Sequence, residues 1–508
     1  MAAELSISRQ HVFSGERLAT FSDAVLSIIA TFSVLPLKFN REIIEHSGGY
    51  RRFDLEGFLL DQWPRYFVYL YSFALVADIW SIHSGVFSIV ENVNDGVIWL
   101  NLLLLFFVSF LPYATGLISS YATSHDSEMA AIIICAGVIL LIGLNLILIL
   151  GYSFRRQSLI HPHLVNNNNI RSIKASVYIG LLIAPVLSVL TIGFSFLSDQ
   201  APWLPLLFFY SILPVSLVVR LVIYLVLISR KSIERLPSMI FRAVASKSRT
   251  EAFSDGVFAI VATLIVLDLT SEHIPDKDET NELWTALRKQ RFVFSSYITT
   301  FIVTGLLWFV QYSMFHFIER ITPIMAVANT FTLLLVGGIP FAAEILSIFS
   351  DESFSTQAIL GPNKVLSIQV FCVLVTLAGL LQLLFWCVAH YNKSFCMSTE
   401  IDKKYAETLV FAKIMIIPIT GVVVYWGTFS KTFNDNHVYT ILAGVSPLLF
   451  LLLKLAITLY SKCCNALKRS GRRSGGSSRV ASPASINQFS HGGRENSPAF
   501  TPTTGHTF

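Results

Sequence analysis

Residues 17–37 read RLATFSDAVLSIIATFSVLPL, and residues 249–269 read RTEAFSDGVFAIVATLIVLDL. The two stretches align without a gap at an offset of 232. Arg-x-x-x-Phe-Ser-Asp stands in both, and Ile28, Ala30, Thr31, Val34 and Leu35 meet Ile260, Ala262, Thr263, Val266 and Leu267. An internal repeat decides architecture before any single motif does. Each copy is apolar over a length that spans a bilayer, yet carries an acid, Asp23 or Asp255, near its start. A carboxylate inside an apolar helix is costly, so it marks a partnered or functional position.

Helical periodicity sorts these residues. Thr20, Asp23, Ser27 and Thr31 follow at i+3 or i+4 and share one face, with Ala24, Ile28 and Leu35 at its edge. The second copy gives Asp255, Ala259 and Thr263, with Gly256, Ile260 and Leu267 beside them. A narrow side therefore mixes hydroxyls, small residues and one Ile per copy. Small and hydroxyl residues favour close helix packing in membranes, so a helix seam is one reading. The wall of a polar path is the other. One copy alone favours the seam.

Composition fixes the class. Of 508 residues 54% are hydrophobic and 14% charged, and mean hydropathy is +0.63. That describes an all-α polytopic membrane protein, with 40 Phe suited to a lipid-facing surface. Net charge is +5. Cys135, Cys372, Cys387, Cys396, Cys463 and Cys464 show no metal-ligand spacing and read as packing residues. The chain is polar up to Gly15, so no cleavable signal peptide is expected.

Apolar runs lie near 18–37, 64–82, 97–121, 129–153, 175–197 and 203–229. A second set lies near 252–269, 292–317, 324–349, 365–391, 407–429 and 438–460. This predicts about twelve transmembrane helices in two six-helix repeats, 17–230 and 249–460. A tail over 1–16, a linker over 231–248 and a basic, Ser-rich disordered tail over 461–508 flank them. Trp80, Asn101 and Pro112 meet Trp308, Asn329 and Pro340 at offset 228, and Pro185 and Pro214 meet Pro418 and Pro447 at offset 233. Six helices per repeat is even, so both enter the membrane the same way as parallel repeats.

Lys and Arg set the orientation. Arg155, Arg156, Arg171 and Lys174, the basic linker and the basic tail all fall on the side of the N-terminus. The opposing loops 122–128 and 198–202 carry no Lys or Arg. Both termini are therefore expected in the cytosol, and the Asn392-Lys-Ser394 sequon on that side is expected to stay unmodified. Asp23 then lies near the cytosolic end of its helix, at the level of Trp80, His83 and Asn101. Asp255, Trp308, Gln311 and Asn329 repeat the arrangement. Arg17 and Asp23 are six residues apart and face different sides, so they pair poorly within one helix. The expected solution is a structural polar network between helices. It joins Arg17, Ser22, Asp23, Trp80, His83 and Asn101 in one repeat, and Arg249, Ser254, Asp255, Trp308 and Asn329 in the other.

Arg17-x-x-x-Phe21-Ser22-Asp23 and its copy at Arg249–Asp255 resemble the endosomal/lysosomal potassium channels of the transmembrane protein 175 family. Gly305-Leu-Leu-Trp308-Phe and Phe110-Leu-Pro112-Tyr support the likeness. It runs from about Arg17 to Tyr460. It implies a homodimer with four first helices around one axis, and an endosomal and lysosomal membrane location. It also implies conduction of potassium, with protons at acidic lumenal pH, a constriction at an Ile ring mapping to Ile28 and Ile260, and selectivity-related hydroxyls at Ser27, Thr31 and Thr263. Ala259 replaces the second Ser, so that hydroxyl ring would be two-fold. The sequence itself contains no Thr-Val-Gly-Tyr-Gly carbonyl filter, which leaves an apolar constriction flanked by hydroxyls.

The alternative is a secondary transporter, because six-plus-six parallel repeats also describe that class. The loop 83–96, which carries no Arg or Lys, argues against it. No Walker A, His-Glu-x-x-His or Gly-x-Ser-x-Gly motif occurs, and His273 with Asp278 has no companions, so no enzyme is expected. Neither cofactor, metal nor nucleic acid is expected. The expected partners are potassium ions, protons, the lipid bilayer and a second copy of the chain.

Overall fold

A computed structural model describes residues 13–37, 53–121, 125–165, 170–197, 201, 203–229, 246–272, 283–289, 291–349, 362–397 and 403–429, with scattered residues between 448 and 459. The expectations for the N-terminal tail before residue 13, for most of the linker 231–248 and for the tail 461–508 lie outside the described residues. So does most of the twelfth apolar run. The described architecture belongs to the compact unit Met1–Leu453.

Among the described residues, eleven helical segments are long and apolar enough to cross a membrane. Helix α1 (Gly15–Phe32) starts where Ser14 caps it: the Ser14 hydroxyl accepts from the Glu16 N–H at 3.3 Å, and Glu16 suits the positive end of the helix dipole. A 3₁₀ turn, Leu35–Leu37, closes it. Helix α2 (Trp63–Phe87) opens on Pro64, tolerated there because the first turn's N–H groups have no helical acceptor.

The run expected as one helix over 97–121 is two helices, α3 (Asp95–Ser109) and α4 (Leu111–Ser120). Pro112 is the cause, since its ring clashes with the preceding turn and it donates no hydrogen bond. Helices α5 (His125–Arg155), α6 (Ile170–Ser195) and α7 (Trp203–Ser229) complete the first repeat.

The second repeat runs α8 (Lys247–Glu272), α9 (Arg291–Phe317), α10 (Pro323–Gly337), α11 (Ile339–Phe349), α12 (Pro362–Tyr391) and α13 (Lys403–Gly427). Pro340 breaks α10 from α11 as Pro112 breaks α3 from α4. The caps repeat too: Asn94 accepts from the Val97 N–H at 3.2 Å, and its counterpart Thr322 from the Met325 N–H at 3.4 Å. Helices α5 and α6 meet where Gly143 faces Pro185, and α12 and α13 where Gly379 faces Pro418. A Cβ on either glycine would stand 2.5 or 2.9 Å from the proline ring, so only Gly allows each kinked helix so close.

The two first helices, α1 and α8, pack on each other, and each packs on the second and third helical segments of its own repeat. The start of α1 is fixed by a short antiparallel pair, β1 (Phe13–Ser14) with β2 (Asn92–Val93), registered Phe13 to Val93. Outward faces stay apolar, with Trp99, Leu148, Val218 and Ile324 all exposed. Lipid, not water, is the solvent such surfaces suit.

Candidate functional site

The seam between α1 and α8 gathers the repeated motif. Asp23 is fully buried and accepts three hydrogen bonds. Trp80 of α2 donates its indole N–H to Oδ1 at 2.8 Å, Arg249 of α8 donates an Nη2 hydrogen to the same oxygen at 2.6 Å, and Arg249 Nε–H reaches Oδ2. This fork is the strong form of a charge-assisted pair. Trp80 lies flat against Phe253 of α8, with ring centroids 4.4 Å apart at 22°. The acid of the first repeat is thus held by the arginine of the second, and α8 also stacks its Phe253 on Trp80 of α2.

A neutral chain runs beside it. Arg249 has only donors, so His83 Nδ1, 3.2 Å from its Nη2, is the acceptor. The ring proton then sits on Nε2 and is donated to Asn101 Oδ1 at 2.9 Å, while Asn101 Nδ2 donates to Ser22 at 2.9 Å and Ser22 donates to the Leu18 carbonyl at 2.8 Å. The second repeat builds the same chain with a different residue. Gln382 of α12 donates to Gln311 Oε1 at 3.1 Å, Gln311 donates to Asn329, Asn329 donates to Ser254 at 3.0 Å, and Ser254 donates to the Thr250 carbonyl at 2.7 Å. Gln311 carries donor and acceptor on one amide, which is what His83 provides on one ring.

The two repeats differ in what covers them. Trp308 donates to Asp255 at 2.8 Å, but the carboxylate is exposed and Trp308 is 39% exposed against 7% for Trp80. Phe21 is 48% exposed where its counterpart Phe253 is 1%. Arg17 is exposed, and among the described residues its side chain has no polar partner. Within one chain Asp255 is therefore joined to Trp308 without an arginine, and Arg17 to none of the described polar side chains.

The hydroxyls divide along the same line. Ser27 and Thr31 are fully buried, and Ser27 abuts Gly256 so closely that a Cβ there would lie 2.8 Å from Ser27 Cβ. Ala259 and Thr263, their counterparts, are exposed. Ser27 donates to the Ala24 carbonyl at 2.7 Å, and Thr31 and Thr263 each donate to the carbonyl of the preceding Ile28 or Ile260 at 2.8 Å. Ile28 and Ile260 are half-buried alike, and Leu35 and Leu267 are both exposed.

The TMEM175 model, described as an endosomal/lysosomal potassium channel, matches residues 17–112 and 249–340, the two blocks that hold the motif, its Trp, its Asn and the helix break. An endosomal/lysosomal proton channel of Danio rerio is 30% identical over 455 residues, covering 87% of this chain and 84% of that protein. The chain belongs to the TMEM175 family. A human TMEM175 described as an endosomal/lysosomal proton channel is 29% identical and covers 87% of this chain and 86% of its own. A potassium channel of Streptomyces collinus is 30% identical over 164 residues, 32% of this chain and 75% of that protein. TMEM175 is a family of channels and not of enzymes. Among the described residues no three His, Cys, Asp or Glu side chains converge as a metal site.

Two polar clusters in this TMEM175 chain went unread in the sequence. Asp78 of α2 is held by Arg220 and by Ser216 of α7, the latter at 3.0 Å. An acid and an arginine, each inside its own apolar run, were the available signal. Ser33, Ser72 and Thr115 join α1, α2 and α4 by hydroxyl bonds of 2.9 and 3.0 Å. Their counterparts Ile265, Thr300 and Ala343 form no such set, and no pattern in the sequence separates these hydroxyls from ordinary helix-seam ones.

Proposed function

We propose that this chain forms a potassium channel of endosomal and lysosomal membranes that also passes protons when the lumen is acidic. It works as a homodimer with both termini in the cytosol. Four first helices, α1 and α8 of each copy, line the pore, and Ile28 and Ile260 form its constriction. The observation that carries this reading is the one-sided seam. Asp23, Ser27 and Thr31 of α1 are closed over by α8, while Asp255, Ala259 and Thr263, the same positions of α8, are open.

Repetition of one contact closes a ring. The face of α8 that meets α1 carries Arg249, Phe253 and Gly256, and the matching face of α1 carries Arg17, Phe21 and Ala24, all exposed. A second copy would place its Arg17 on Asp255 and its Phe21 on Trp308, as Arg249 and Phe253 already sit on Asp23 and Trp80. Positions open to a similar degree in both repeats, Ile28 with Ile260 and Leu35 with Leu267, are then the ones left facing the axis. An apolar throat of four Ile admits only ions that tolerate partial dehydration and closes by dewetting. Thr31 and Thr263 act beside it by fixing the Ile carbonyls, and Ser27 by setting the spacing of α1 from α8.

Charge reversal tests the ring. Arg17→Asp alone and Asp255→Arg alone should each lose the dimer in single-molecule bleaching, and the double variant should regain it. Single variants that remain dimeric would contradict the arrangement. Saturating solute uptake without unitary current steps would favour a transporter instead.

A further inference from the structure

The two repeats differ in charge at the end of the molecule where α1 begins. Arg155 closes α5, and Arg171 and Lys174 stand one turn apart at the start of α6, whose first turn holds no acid. Lys174 Nζ lies 4.3 Å from the Phe154 ring centroid, and the Phe154 and Tyr178 centroids are 6.3 Å apart. A Cβ on Gly151, one turn before Arg155, would stand 3.4 Å from the Tyr178 hydroxyl. Three cations thus gather at one corner of α5 and α6 over an aromatic floor. Among the described residues no carboxylate pairs with Arg155, Arg171 or Lys174. Arg156 beside them is already engaged with the Tyr152 ring at 4.9 Å. In the second repeat the counterpart of Lys174 at offset 233 is Glu407 of α13, and Lys393 neutralises it at 2.5 Å.

The surroundings of this corner select its occupant. Leu148 lies on the face of α5 that carries Arg155, and Leu182 on the face of α6 that carries Lys174 and Tyr178; both leucines are exposed. An anion with alkyl chains gains the cations and these apolar flanks together. A lipid phosphodiester brings a single negative charge, whereas each phosphomonoester on an inositol ring adds about −1.5 to −2 at neutral pH, which suits a cluster of cations. The corner is also tied to the start of α1. The Leu159 carbonyl, just beyond α5, accepts from the Glu91 N–H at 3.0 Å, and the Glu91 carbonyl accepts from the N–H of Gly15, the first residue of α1, at 3.0 Å.

We propose that Arg155, Arg171 and Lys174 bind the headgroup of a phosphoinositide in the leaflet at the Gly15 end of α1, with its acyl chains along Leu148 and Leu182. The bound lipid holds the end of α5 and, through Leu159 and Glu91, the start of α1. Any effect on current rests on the pore reading above, but binding does not.

Dioctanoyl phosphatidylinositol bisphosphate is the probe, titrated at constant ionic strength onto the purified full chain in phosphatidylcholine nanodiscs. A ligand that binds only the folded chain raises its unfolding temperature saturably. The expected result is a saturable shift whose midpoint concentration rises about tenfold or more when Arg155→Gln and Lys174→Gln are combined. Lys174→Glu, which copies the second repeat, should weaken binding as strongly and serves if the double variant does not fold. Lys393→Gln should leave the midpoint where it is. Dioctanoyl phosphatidylglycerol, and inositol trisphosphate without acyl chains, should both bind more weakly than the probe. An unsaturable wild-type response, or unchanged midpoints in whichever of the corner variants folds, would overturn the proposal. So would an equal loss in Lys393→Gln, or equal binding of phosphatidylglycerol or the free trisphosphate. Potassium current is measured on the same wild-type protein without probe. Absent current with intact binding would count against the channel reading alone, and normal current with no saturable binding against this site alone.

Discussion

At the residue scale Asp23 is the most constrained group in the chain. Three donors hold it in full burial, and removing one partner leaves a charge that neither water nor protein satisfies. Asp23→Ala or Arg249→Met should therefore cost about 3–5 kcal/mol, measured as lowered expression and a reduced unfolding temperature. Asp255→Ala, whose carboxylate is exposed in one chain, should cost the isolated chain much less and act through loss of the second copy. Equal losses for both acids would deny the difference between the two seams. Gly256 tests the same seam sterically: Gly256→Ala should part α1 from α8, and adding Ser27→Gly should restore thermal stability. The sequence made the acid, the Trp and the Asn legible because each recurs at a constant offset. It did not show that Asp23 pairs with Arg249 and not Arg17. Both arginines stand six residues before an acid, and only the packing of α1 on α8 chooses between them.

At the element scale, proline placement organises the helices. Pro112 and Pro340 split the third spans, and Pro185 and Pro418 dock on Gly143 and Gly379. The positions of these prolines were legible from the repeat. Their glycine partners were not, because docking depends on two helices meeting at one height. The breaks also let α4 reach the hydroxyl set Ser33–Ser72–Thr115. Thr115→Val should destabilise by about 1 kcal/mol, read by thermal melting, because the Ser72 hydroxyl loses a partner. Ala343→Ser in α11, where no such set exists, should change little. Asp78 and Arg220 form the costlier link between α2 and α7. Asp78→Asn should weaken it, and the paired change Asp78→Leu with Arg220→Leu should be tolerated better than either alone, since removing both charges leaves none unpaired.

At the scale of the whole molecule the repeats are alike in helix order and unlike in cover. A hydrophobic pattern reports helix count and span, so the twelve-run, two-repeat plan was readable, with eleven spans among the described residues. Cover is a matter of neighbours, and no single-chain pattern records that one seam is closed and the other open. The Lys and Arg bias predicts that protease added to intact organelles removes the tail after Ser461; a protected tail would reverse the proposed orientation. The central claim is that Ile28 and Ile260 narrow one pore, and reversal potentials under potassium on one side and sodium on the other test it most directly. A double variant with both Ile replaced by Asn keeps similar bulk and wets the throat. The expected result is larger current with the reversal potential moved toward zero, as potassium is less favoured over sodium. A well-expressed double variant with an unchanged reversal potential would place both Ile outside the ion path.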